Sequence, residues 1–332
     1  MDGVCNANKR RARTLKQVPS GFTIACAAAV SVAGIVSSYA AEDFIAVLKS
    51  RDLPQYTEAV NGFLQEWAQS SSALPVREAV LKNSTDDART VFGSAAKPAA
   101  VVAVGADAAR WAIKNTSCPA VFCMVANARS SLIANINTAA VARVNGVSLD
   151  IPPKTQLQTL SVYLPNAKRV GVIYDPRKSG GTVQELEQAA AAMGIQLLKE
   201  AVTSESSLPE ATDRIVGQID VLWAPVDSTV YNSRSAQFIL TRMLEHKVPV
   251  MGFSENMVRA GALLALQVNH AAVGAQTAAL LQTVLNGEAL AGGTVQAPRS
   301  YNVMLNDRVQ QFLGNPIPRI AMQQASFINE KD

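Results

Sequence analysis

Histidine and cysteine are scarce in this chain, at two and four among 332 residues. That excludes a disulfide-stapled scaffold and leaves little material for a histidine-rich metal site, so neither a metal nor a cofactor is expected. Aromatic side chains make up 5% and charged ones 17%, against 48% hydrophobic. A chain this apolar is not disordered, and its length favours two domains of ordinary size. An overall charge on the body is missing too. The net +4 belongs to the first 40 residues, where Lys9, Arg10, Arg11, Arg13 and Lys16 face Asp2 alone, while residues 41–332 carry 25 basic and 25 acidic side chains. A neutral body gives no electrostatic support to a nucleic-acid partner, and none is expected.

Catalytic motifs are absent as well. There is no Gly-x-x-x-x-Gly-Lys-Ser/Thr loop, no Gly-x-Ser-x-Gly elbow and no His-Glu-x-x-His helix. Gly252-Phe253-Ser254-Glu255-Asn256 lacks the second glycine, and Ser179-Gly180-Gly181 has no lysine behind it. His246, between Glu245 and Lys247, reads as a surface partner of a helix C-terminus. His270 reads as a solvent or hinge residue. No catalytic residue is expected, and the chain is not read as an enzyme.

What is present begins with a leader. The five basic residues precede an uncharged stretch from Phe22 to Val36 and then Ser38-Tyr39-Ala40, the order of a secretory signal peptide cleaved after Ala40. The apolar run is too short to span a bilayer, so a soluble periplasmic protein is expected. The competing reading is a lipid-modified Cys26. Beyond Ala40 only Cys118 and Cys123 remain. Along one extended strand they lie beyond disulfide reach, so both are read as free thiols.

Short apolar runs alternate with helical stretches, which predicts βα units and a parallel sheet. In the first set, strands are expected at Phe44–Leu48, Val76–Leu81, Ala99–Gly105 and Ala120–Val125. Helices are expected at Gln55–Gln69, Asp86–Ala96 and Asp107–Asn115. A second set has strands at Arg169–Tyr174, Gln196–Lys199, Val221–Pro225 and Pro249–Phe253, with helices at Val183–Met193 and Ser233–His246. The sets correspond: Val80-Leu81-Lys82 with Leu197-Leu198-Lys199, Val101–Gly105 with Val221–Pro225, and Cys118–Val121 with Lys247–Val250. Two similar α/β lobes follow. Asn145–Pro153 and Pro298–Asn306 read as crossings, and Ala272–Leu285 as an amphipathic helix ended by Asn286-Gly287.

Polar residues gather where the expected strands end, the place where open α/β sheets bind ligands. The candidates are Ser50, Arg51, Tyr56, Gly105 and Asn127 in the first set, and Tyr174, Asp175, Asp227, Ser228, Ser254 and Glu255 in the second. Asp and Ser at such points also cap the following helices. Asp227 is the first choice for a direct solute contact, because Pro225 takes the chain out of the ladder just before it.

Arg169–Pro176, Asp220–Ser228, Val248–Glu255 and Gly261–Leu266, followed by Gly274 to Glu288, occur in an order that resembles the ABC-transporter substrate-binding proteins whose better-known members bind aromatic amino acids. The resemblance implies a type I periplasmic-binding fold, an α/β protein of two Rossmann-like lobes joined by a three-strand hinge. Its division would be a signal peptide at 1–40, an N-terminal lobe at 41–147 completed by about 271–298, and a C-terminal lobe at 148–270 completed by about 299–332. It also implies a monomer that closes on a small solute and delivers it to a membrane ABC permease. A periplasmic sensor subunit signalling to a membrane receptor is the alternative, and a secreted enzyme on the same fold the lesser one. The loop Ser50-Arg51-Asp52-Leu53-Pro54 departs from the small polar residues expected of amino-acid binders. Arg51 can meet a ligand carboxylate bidentately or pair with Asp52.

Overall fold

A computed structural model describes residues 43–70, 74–82, 91–92, 98–288, 290–314 and 316–328. The expected leader with its cleavage site lies outside these residues. So does most of the expected helix at 86–96, of which Val91 and Phe92 are described and helical.

Six strands form the first sheet: β1 (Ile45–Lys49), β2 (Val76–Val80), β3 (Ala100–Val104), β4 (Ala120–Val125), β5 (Val144–Ser148) and β11 (Val295–Gln296). Its order is β11-β5-β4-β3-β1-β2, and each strand runs parallel to its neighbours. The second sheet holds β6 (Arg169–Tyr174), β7 (Gln196–Ala201), β8 (Val221–Trp223), β9 (Val250–Gly252), β10 (Leu264–Val268), β12 (Tyr301–Asn306) and β13 (Ala325–Ile328). Its order is β13-β12-β10-β9-β8-β6-β7, with β12 running antiparallel to β10. The expected correspondence is therefore a shared strand order: β4-β3-β1-β2 in one sheet matches β9-β8-β6-β7 in the other. Both sheets belong to one unit, Ala41–Asp332, and the chain passes between them after β5, after β10 and after β11.

The sequence builds these sheets because β1, β3 and β4 are continuous apolar runs, the pattern of parallel strands covered on both faces. Alternation sorts their side chains. Ala46 and Leu48 join Val101, Ala103 and Trp111 in one core, whereas Ile45 and Val47 join Val102, Phe63 and Leu281 in the other. The second sheet divides likewise, with Val221 and Trp223 on one face and Leu222 and Ala224 on the other.

The helices of use below are α1 (Pro54–Trp67), α2 (Ala106–Asn115), α3 (Pro153–Tyr163), α4 (Pro176–Ala192), α5 (Leu208–Val216), α6 (Ser235–Glu245), α7 (Glu255–Arg259) and α8 (His270–Leu285). Proline at the first turn starts α1 and α4, where its missing N–H costs nothing. Helix α8 returns to the first sheet and lies on α1 at glycine. A Cβ on Gly274 would stand 1.8 Å from the Ala59 carbonyl oxygen, and one on Gly62 would stand 2.0 Å from that of Ala271. Cys118 and Cys123 are free, as expected, and burial pushes the Cys123 thiol up to about 12.

Candidate functional site

In a parallel sheet every strand ends at the same edge, so neighbouring strands bring their following loops together. At the first sheet this gathers Ser50, Tyr56 and Gly105. Gly105 has φ +94°, and a Cβ there would lie 2.6 Å from Ser50 Oγ and 2.7 Å from the Tyr56 hydroxyl oxygen. Glycine is required both by that backbone conformation and by the phenol lying against it. Gly105 is also the N-cap of α2 and has no side chain to offer. Ser50 supplies the missing cap from the neighbouring strand: its Oγ accepts the Ala108 N–H at 2.8 Å.

Arg51 stands beside this group with its side chain 74% exposed and its guanidinium 3.8 Å from an Asp107 oxygen. The other Asp107 oxygen is held by Arg110 at 2.7 Å. Asp52 pairs with Lys49 at 2.9 Å, so the expected alternative of an Arg51–Asp52 pair is not what forms. Burial raises the Tyr56 phenol, Arg51 opposes it, and Asp107 and Cys123 add to the rise. Asn127 sits where β4 becomes irregular. Met124 and Asn127 adopt φ of 58° and 51°, and the register with β5 shifts between Phe122 and Val125. The Asn127 N–H then donates to Asp150 Oδ1 at 2.9 Å.

The second sheet gathers Asp175 and Asp227, both buried. Asp227 Oδ2 accepts the Asp175 N–H at 2.8 Å and the Ser179 hydroxyl at 2.6 Å. Its Oδ1 accepts the N–H groups of Thr229 and Val230 at 3.0 and 3.3 Å. Asp175 caps α4 by accepting from the Arg177 N–H, takes the Arg177 guanidinium in a two-pronged contact at 3.0 and 2.7 Å, and accepts the Thr229 hydroxyl at 2.9 Å. Tyr174 is half-buried and Ser228 is exposed beside Asp227. Ser254 caps α7 through the Met257 N–H, and Glu255 pairs with Arg259 along that helix at 2.7 Å. Both side chains thus serve α7 rather than the aspartate pair. The ring of the neighbouring Phe253 meets Tyr231 edge-on at 6.1 Å. Arg177, Ser179 and Thr229 were not among the sequence candidates. Asp175-Pro176, a capping residue before a first-turn proline, was the available signal for the helix that carries two of them.

The Arg177 guanidinium beside Asp175 holds its carboxyl well below the usual carboxylate range, helped by the Arg177 N–H and the Thr229 hydroxyl and opposed by burial. A depressed native value means that the charged form stabilises the fold above about pH 4 and that this contribution is lost as pH falls toward the native value. The melting temperature is therefore expected to hold steady from neutrality to about pH 5 and to decline below pH 4. Asp175→Asn should flatten that decline, which melts at a series of pH values will read.

His246 is the C-cap residue of α6, as expected. His270 opens α8 immediately after a crossing, and its Nδ1 lies 2.9 Å from Glu58 Oε2 on α1. A groove of about 490 Å³ lined by Asp220, His246, Lys247 and Pro249 lies at the N-terminal ends of β8 and β9 and shares no residue with either cluster. Among the described residues no group of three or more His, Cys, Asp or Glu is placed to hold a metal ion. No helix among them is long and apolar enough to cross a membrane.

Known proteins share this fold. The family model of ABC transporter substrate binding proteins matches residues 73–325. A tyrosine-binding protein of Clostridioides difficile (strain R20291) is 25% identical over 167 residues, which are 49% of this chain and 48% of that protein. The match thus spans about half the length of that relative. Among solved structures, the ligand-free, open form of a substrate-binding protein with adhesive properties from Clostridium difficile superposes with a TM-score of 0.66 at 20% identity, covering 86% of this chain and 99% of its own. An ABC domain from Streptococcus pneumonia in complex with L-Trp gives a TM-score of 0.52 at 19% identity, covering 87% and 100%. With three quarters of its length inside the matching family model, the chain belongs to the ABC transporter substrate binding proteins.

Proposed function

We propose that the protein captures a small solute of the amino-acid class outside the cytoplasm, in a cleft between the C-terminal edges of its two sheets, and delivers it unchanged to an ABC-type permease. One observation carries this reading. Two sheets of matching strand order, linked by three chain crossings, each gather polar side chains where their strands end. Bodies joined by thin crossings hinge readily, and closing on a solute lets both edges contact it at once. The proposed lobes are 41–147 with about 271–298, and 148–270 with about 299–332, preceded by a cleaved leader at 1–40. The protein would act as a monomer in the periplasm.

Within that cleft, Tyr56 and Tyr174 would offer ring faces, while Arg51, Asn127 and Ser228 would supply polar contacts. Ser50 and Gly105 shape the first edge. Asp175 and Asp227 hold the loops of the second by their internal hydrogen bonds, and Ser254 and Glu255 serve α7 beside it. The tyrosine-binding relative and the L-Trp complex support an aromatic amino acid or a close analogue as the solute. Mass spectrometry of the molecule released on unfolding the purified protein tests the reading. A small aromatic acid or amino acid, recovered intact, is the expected result.

A further inference from the structure

Resting on that reading of the cleft, we infer that Arg51 is the specificity-determining residue and that the solute is selected by its carboxylate rather than by its amine. The charges at the two edges are unevenly committed. Asp175 is bound by Arg177, Thr229 and a backbone N–H, and Asp227 by four donors of its own lobe; the two residues are 0% and 2% exposed. Neither presents a free oxygen to an ammonium group. Arg51 is the converse. Its ion contact is a long one, to an aspartate that Arg110 already holds closely. A guanidinium has five donors in a planar fork that matches a carboxylate, and at 3.8 Å the Asp107 contact is too long for a hydrogen bond.

Position completes the case. Arg51 lies two residues past the end of β1, and its charge acts on the Tyr56 phenol, which lies on Gly105. A solute whose ring rests on Tyr56 can therefore place a carboxylate on Arg51 at the same edge. Asp150, an exposed acidic group after β5, has the Asn127 N–H on one oxygen.

Calorimetric titration with L-tyrosine, L-tryptophan, their des-amino acids 3-(4-hydroxyphenyl)propanoate and indole-3-propanoate, and the amines tyramine and tryptamine tests this. The expected result is that a des-amino acid binds within about tenfold of its parent amino acid and that neither amine binds. Arg51→Gln should weaken binding of the acids roughly 10- to 100-fold, the range for a hydrogen bond to a charged group, with an unchanged melting temperature. Arg51→Lys, which keeps the charge and loses the fork, should fall between. Amines binding as well as the acids, or Arg51→Gln leaving affinity unchanged, would overturn the inference while the solute-binding reading stands. No binding by any of the six compounds would contradict the aromatic-solute reading, and the inference with it.

Discussion

Asp227→Ala is expected to cost about 3–5 kcal/mol of folding stability, the scale for stripping a buried charged acceptor from the donors it satisfies. Four donors lose their partner at once: the N–H groups of Asp175, Thr229 and Val230 and the hydroxyl of Ser179. The first of these fixes the turn from β6 into α4, and the other two N–H groups fix the loop after β8. The substitution should therefore loosen both loops of the second edge together. A helix cap alone would cost about 1 kcal/mol. Asp227→Asn should be milder, since one oxygen survives and the Ser179 hydroxyl can turn to accept from the new amide. Denaturant titration of the three proteins separates these cases. An Asp227→Ala protein as stable as the parent would show that the network holds nothing in place.

Gly274→Val should lower stability by about 3 kcal/mol, the upper end of overpacking costs. The obstacle is a backbone oxygen of α1, only 1.8 Å from where the Cβ would stand, and it cannot swing aside as a side chain can. Helix propensity works the other way and is outweighed, because replacing glycine within a helix gains at most about 1 kcal/mol. Gly181→Ala in α4 is the contrasting case. No atom lies within 4 Å of the new Cβ, so a gain of roughly 0.5–1 kcal/mol is expected. Equal melting temperatures for Gly274→Val and the parent would mean that α1 and α8 do not approach at glycine.

The sheets were legible in the sequence for a physical reason. A parallel strand covered on both faces must be apolar throughout, so Ala100–Val104 and Ala120–Val125 stand out as uninterrupted runs. Strands that break this pattern were absorbed into the crossings next to them, although the chain does pass between the sheets at both places. Val144–Ser148 is wholly buried as β5, yet Asn145, Gly146 and Ser148 give it the composition of a crossing. Tyr301–Asn306, read as a crossing, pairs antiparallel with β10 over five residues. The Gly180-Gly181 pair hid the first two turns of α4, which begins at Pro176 rather than Val183. Helix α3 carries Pro, Thr and Ser in a weak apolar pattern and was not anticipated; α5 was not anticipated either, although Leu208, Ala211, Thr212, Ile215 and Val216 recur at helical spacing and are buried. In the site, the strand-end rule located the residues but not their partners. Asp227 is bound by groups 48 and 52 positions away, and Ser50 caps a helix 58 positions away. Such pairings exist only after the sheet has brought the loops side by side.

The most direct measurement of the central claim is small-angle scattering of the protein stripped of solute and then saturated with the molecule that unfolding releases. Closure of two lobes on a bound solute predicts a smaller radius of gyration and a shorter maximum dimension in the saturated sample. Identical profiles for the two samples, at a concentration where calorimetry shows the site filled, would contradict capture by hinge closure.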